Sequence, residues 1–202
     1  MWTAAILAGG HARRLGGQDK SALVIDGLSV LARQLAALNP LTRDIILIGG
    51  QSHSETSMTT VPDLRPGTGA LGALYTALAT AHADRVLVLA CDLPFVTTPF
   101  LSLLLHLDAD ALAVVPVPSS GPQPLCAVYR RQASAHLERA LDHGERRVRE
   151  AVHALGPRYV TTAELAPFDP DGRLLWNINT PDEYARAAGS PRSAGIVPQP
   201  PQ

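Results

Sequence analysis

The segment Leu7 to Leu23 reads LAGGHARRLGGQDKSAL. An apolar run, then glycines, then cations lets backbone N–H groups and side-chain charges surround a polyphosphate. Gly9 and Gly10 permit close approach of the backbone to an anion, while Arg13, Arg14 and Lys20 supply charge. Two better-known loops are excluded. A Walker A loop has Gly directly before its Lys, and here Asp19 precedes Lys20. The glycines at 9, 10, 16 and 17 do not make the dinucleotide fingerprint G-x-G-x-x-G. The competing interpretation is an ordinary strand-to-helix turn with surface arginines. Lys20 is the single lysine beside sixteen arginines. It stands where a slim ammonium reaches a phosphate and a planar guanidinium often cannot.

Further candidates lie downstream, each with a plainer alternative. Asp92 follows a buried apolar run and precedes Leu93-Pro94, so its carboxylate suits Mg²⁺, which takes one or two carboxylates plus substrate phosphates and water. It could equally close the strand as a turn aspartate. Asp63, after Val61-Pro62, could meet a base edge or ribose, or form a turn. Gly67 and Gly69 could bring backbone against a nucleotide, or simply make their turn. Arg146, Arg147 and Arg149 stand at a helix start and could clamp a second anionic substrate, or be a solvated charged face. Asn177 and Asn179, alternate residues of an expected short strand, point the same way from it; they could carry polar recognition or cap the following helix. Cys91 reads as a small buried hydrophobe and His11 as a solvated loop residue.

These residues need elements to position them. Thr3 to Leu7, Asp44 to Ile48 and Arg85 to Ala90 read as buried strands, with a shorter one at Thr59 to Val61. Ser29 caps an expected helix over Val30 to Leu38, stopped by Pro40. Ala70 to His82 has helical spacing, and Thr98-Pro99 has N-cap and N1 chemistry. Ala111 to Val117 and Leu125 to Arg130 read as strands, partly antiparallel, across the loop Pro118 to Pro124. Gln132 to His143, Arg147 to Leu155 and a helix from Thr180-Pro181 to about Ala188 follow. The alternation predicts one α/β domain over 1–189, with a largely parallel sheet covered by helices on both faces. Residues 190–202, rich in Pro, Ser and Gly, predict a disordered tail. Ligands in such sheets bind at the carboxyl ends of strands, where strand order reverses. Three candidate segments follow such ends, after Leu7, Val61 and Ala90.

Composition narrows the classes. The 202 residues are 46% hydrophobic and 17% charged, with net charge −1. That suits a globular core and offers no basic surplus for nucleic acid or an anionic membrane. Two cysteines are too few for a disulfide scaffold or zinc cluster. No apolar run approaches the roughly 18 residues of a membrane span, so a soluble, cytoplasmic protein is expected.

The opening segment resembles the L-A-G-G-x-x-x-R-[ML]-G-x-D-K pattern of the molybdenum cofactor guanylyltransferases. Val61-Pro62-Asp63, Gly69-Ala70-Leu71-Gly72, Cys91-Asp92-Leu93-Pro94, Gly144-Glu145-Arg146-Arg147-Val148 and Asn177-Ile178-Asn179-Thr180-Pro181 resemble that family in the same order. The resemblance spans about Ala4 to Ala187. It implies a Rossmann-like nucleotidyltransferase domain that moves GMP from GTP to molybdopterin carrying molybdenum, with Mg²⁺ as cofactor. It also implies site residues. Leu7, Ala8 and Gly9 would meet guanine and ribose; Gly10, Arg14 and Lys20 would hold the triphosphate; Asp63 would help hold the nucleotide; Asp92 would bind Mg²⁺. Arg146, Arg147, Asn177 and Asn179 are the molybdopterin candidates. The family often has Asn after the second strand, where this chain has Gly49, so that contact is not carried over. A monomer is expected, with transient contacts to molybdopterin-handling proteins and to apo-molybdoenzymes.

Three other activities share parts of this pattern. Molybdopterin cytidylyltransferases tend to read L-A-A-G where this chain has Leu7-Ala8-Gly9-Gly10. Sugar-phosphate nucleotidyltransferases usually append a domain for which there is no room. A non-catalytic nucleotide-binding regulator would not need the carboxylate of Asp92.

Overall fold

The structure is a computed structural model that describes residues 1–8, 22–49, 58–108 and 110–189. Gly9, Gly10, Arg14, Lys20 and the expected tail at 190–202 lie outside these described residues. Its centre is a seven-stranded sheet in the order β5-β4-β1-β6-β8-β7-β9. The strands are β1 (Trp2–Leu7), β4 (Ile45–Ile48), β5 (Thr59–Val61), β6 (Arg85–Ala90), β7 (Ala113–Pro116), β8 (Cys126–Arg130) and β9 (Arg158–Val160). β5, β4, β1 and β6 pair in parallel. β8 runs antiparallel to both β6 and β7, and β7 pairs with β9 in parallel. The expected mostly parallel sheet with an antiparallel component is therefore present.

Period-two alternation decides which strand residues face which layer. Ala4, Ile6, Ile45, Leu47, Leu87 and Leu89 share one core with α1 (Val30–Leu38) and α3 (Thr98–His106). Ala5, Leu7, Ile46, Ile48, Val86 and Val88 face the other, under α2 (Gly69–Thr80), α4 (Ser134–Asp142) and α5 (Val148–His153). Central strands buried on both sides read as continuous apolar runs for this reason. Leu71, Leu74 and Leu78 of α2 are fully buried; burying one such side chain is worth about 1.5–3 kcal/mol.

Local chemistry sets the helix ends. Ser29 is extended, and its hydroxyl accepts a hydrogen bond from the Ala32 amide at 3.1 Å, capping α1. At α3 the cap falls one residue earlier than expected, on Thr97. Thr98 is already helical, and its hydroxyl donates to the Ala37 carbonyl at 2.9 Å, tying α3 to α1 instead of capping α3. A hairpin missing from the sequence reading joins β2 (Val24–Ile25) to β3 (Leu28–Ser29). Its turn, Asp26-Gly27, has φ of 48° and 80°. Two consecutive positive φ values are what Asp-Gly supplies in a tight hairpin turn. α6 (Thr162–Leu165) and α7 (Pro181–Gly189) complete the chain. No helix of the described residues is long and apolar enough to cross a membrane.

Candidate active site

From β1, the chain adds β4 and β5 on one side and then returns to place β6 on the other. Strand order thus reverses beside β1, and α1 and α2 lie on opposite faces, which opens a crevice at the carboxyl ends. Those ends are locked level with one another. The Ala8 amide donates to Ile48 O at 3.0 Å, Gly49 to Val61 O at 2.9 Å and Cys91 to Leu7 O at 3.2 Å. Leu7 is buried and Ala8 half-buried at this edge. Gly49 sits at φ +65°, in the left-handed region that glycine enters freely and asparagine tolerates. The backbone there is one that either residue satisfies, which accounts for glycine at this point.

Asp92 stands at the crevice, directly beyond β6. Its carbonyl accepts from the Ile178 amide at 3.0 Å, and its Oδ1 accepts from Asn177 Nδ2 at 3.1 Å. The loop beneath it is held by Gln34, a fully buried α1 residue whose amide donates to Ala90 O at 2.7 Å and Leu93 O at 3.1 Å. Gln34 lies within the helix expected over Val30 to Leu38, and its one signal in the sequence is a polar residue among the apolar positions of that helix. The charge of Asp92 also adds to burial in pushing the Cys126 thiol up. Among the described residues no three His, Cys, Asp or Glu side chains form a metal cage. A lone hard carboxylate fits an ion that takes its remaining oxygens from substrate phosphates and water.

Asp63 is engaged locally. Its Oδ1 accepts from the Arg65 amide at 2.9 Å and from the Thr76 hydroxyl at 3.0 Å. This closes the turn into α2, which passes through Gly67 and Gly69 at φ of 81° and 69°. Gly72 lets that loop lie on the helix. A Cβ there would fall 2.8 Å from the Arg65 carbonyl and still closer to the Thr68 hydroxyl. Arg65 then ties the loop to α4, pairing with Glu138 at 3.0 Å and Asp142 at 2.9 Å. Tyr75 donates to the same Glu138 at 2.9 Å. Glu138 raises the pKa of the phenol and, with Asp142, that of the guanidinium.

The three arginines after Gly144 separate. Arg146 turns back on α4, donating to Leu141 O at 3.1 Å and Glu145 O at 2.7 Å. Arg147 is exposed and pairs with Glu145 at 3.4 Å. The amides of Arg147 and Arg146 both donate to Glu145, which holds that carboxyl below its usual range. Both arginines line a cleft against α4 and α5 with His136, Arg139 and His143. Arg149 lines another, shared with Asn177 and Asn179. The asparagines are not on a strand as expected but in an irregular segment before α7. That segment is fixed by Glu183, whose Oε2 accepts from the Asn179 amide at 2.7 Å and the Thr180 amide at 2.9 Å. These bonds lower the Glu183 pKa.

A switch-point crevice in a mostly parallel α/β sheet, with glycine-bearing and acidic strand ends, is the place where such folds bind nucleotides, and the family of the chain makes it a nucleotide transferase. The family model for the MobA-like NTP transferase domain matches residues 4–157, and the chain belongs to this family. A probable molybdenum cofactor guanylyltransferase of Chloroflexus aggregans is 36% identical over 200 residues, covering 91% of each chain. A molybdenum cofactor guanylyltransferase of Desulfosudis oleivorans is 29% identical, covering 96% of this chain and 98% of its own. The crystal structure of molybdopterin-guanine dinucleotide biosynthesis protein A from Archaeoglobus fulgidus matches at a TM-score of 0.79 and 28% identity. The match covers 93% of this chain and 97% of that one.

Proposed function

We infer that this chain transfers GMP from GTP to molybdopterin carrying molybdenum, forming the guanine dinucleotide cofactor and pyrophosphate. The observation that carries the reading is Asp92, placed at the switch point and held by Asn177 from the far end of the chain. The names of the relatives supply the substrates. An oxygen of the molybdopterin phosphate attacks the α-phosphorus of GTP in line. The new P–O bond forms as the bond to the bridging oxygen breaks, and its electron pair leaves with pyrophosphate. Such transfers rest on positioning and charge neutralisation rather than on covalent work by the protein.

Asp92 would hold Mg²⁺, which when bound neutralises charge on the phosphates and on the leaving pyrophosphate. Asn177 fixes the orientation of that carboxylate. Leu7, Ala8 and Gly9 would line the guanine and ribose. Gly10, Arg14 and Lys20 would bind the triphosphate. Asp63 and Gly69 act by shaping the loop over the nucleotide. Asn179 would border the space left for molybdopterin, whereas Arg146 and Arg147 face a separate cleft against α4 and α5. We place the reaction in the cytoplasm, carried out by a monomer. Pyrophosphate release with GTP or CTP as donor tests the reading. GTP should support release only when molybdopterin is present, and CTP should support little; a preference for CTP would overturn it.

A further inference from the structure

Arg149, Asn177 and Asn179 line one cleft of about 620 Å³, together with Trp176 and the loop at Ser119 and Ser120. Arg149 is its only cationic lining residue among those described. The two carboxylates of the cleft are already engaged. Glu183 accepts the amides that begin α7, and Asp169 accepts the Leu174 amide at 2.8 Å. Arg149 pairs with neither, and has no hydrogen-bond or ion-pair partner among the described residues. Its guanidinium rests instead on the glycine turn of the facing loop. A Cβ at Gly121, where φ is +99°, would lie 3.7–4.0 Å from its two terminal nitrogens and Cζ. Arg146 and Arg147 contrast with it, since both spend donors on carbonyls or a carboxylate of their own segment.

We propose that Arg149 is the direct anion contact of the second substrate and a specificity-determining residue for it. This inference rests on the reading of the chain as a molybdopterin guanylyltransferase. Asn177 joins the cleft to Asp92, so a molecule seated there lies beside the reacting end of the nucleotide. A guanidinium fork with five uncommitted donors recognises oxyanions in a fixed geometry that an ammonium does not reproduce. Molybdopterin offers two such groups, its phosphate and the oxo-molybdenum end when the metal is loaded.

The test is anaerobic titration calorimetry of the full-length protein with molybdopterin, with and without molybdenum, and separately with GTP. Arg149→Ala should weaken molybdopterin binding about tenfold or more, as expected for loss of a charge-assisted hydrogen bond, and leave GTP affinity within about twofold. Arg149→Lys should recover only part of the loss. Weakening with both forms assigns the contact to the phosphate, and weakening only with the loaded form assigns it to the metal end. Wild-type affinity for both forms in Arg149→Ala, with wild-type protein still transferring GMP, overturns the role of Arg149 alone. Wild-type protein that binds neither form overturns the functional reading and this inference with it.

Discussion

Two aspartates follow strands of the same parallel sheet and are held in opposite ways. Asp63, after β5, accepts bonds from Arg65 two residues on and Thr76 thirteen residues on. Asp92, after β6, is held by a side chain 85 residues away. The first carboxylate shapes its own loop. The second is supported from a distant segment and set on the crevice between β1 and β6. Glu145, Glu164 and Glu183 follow the pattern of Asp63, each accepting amides within a few residues. The difference teaches that a carboxylate bound by its own loop shapes that loop, whereas Asp92, held from a distant segment at the strand switch, is the one our reading assigns to the substrate.

The largest effect should come from Asp92→Asn, which keeps shape but removes charge. Turnover should fall on the order of a hundredfold or more, since metal bridging supplies several kcal/mol of transition-state stabilisation. The melting temperature should stay nearly fixed, and near-normal turnover at limiting Mg²⁺ would end the contrast between the two aspartates. Asn177→Ala should cost roughly tenfold, in line with a hydrogen bond to a charged group, and should raise the Mg²⁺ concentration needed for half-maximal rate. An unchanged Mg²⁺ dependence would detach Asn177 from Asp92.

Asp63→Ala should lower stability by about 1–3 kcal/mol in urea titration, because it strands the Arg65 amide, while the Thr76 hydroxyl keeps the Gly72 carbonyl at 2.8 Å. Asp63→Asn, which retains an acceptor oxygen, should restore most of that and change turnover by less than about threefold. A hundredfold loss in Asp63→Asn would make it an equal of Asp92. The smallest effect concerns pH. The Arg158 guanidinium, with the Thr161 amide and hydroxyl, lowers the Glu164 carboxyl from 4.5 to about 2. Its folded pKa lies below the unfolded value, so the stability it adds is present above pH 4.5 and is lost as pH falls through about 2. Glu164→Gln should flatten the stability profile over that window; an identical profile would show that the ion pair contributes nothing.

Much of this was legible because the signals are local. Buried parallel strands read as apolar runs, Ser29 announced its helix, and the strand ends named three loops of one edge. The remainder depends on residues that meet only on folding. Nothing near Asp92 in sequence points to Asn177, and Gln34 looks like one more position of its helix. Nothing local distinguishes the three arginines of residues 146–149: Arg146 and Arg147 precede α5 and fold back on Leu141 and Glu145, whereas Arg149 lies in the first turn of that helix. The hairpin at Asp26-Gly27 is not legible as strands despite its turn chemistry, because strands of two residues carry no periodicity.

The most direct test of the account is the mass of the product formed from GTP, Mg²⁺ and molybdenum-loaded molybdopterin. A molybdopterin species heavier by one guanylate unit, appearing with one pyrophosphate per transfer and absent with Asp92→Asn, is the result expected. Pyrophosphate release without any guanylated molybdopterin, or a cytidylate adduct formed in preference when CTP is also present, would contradict it.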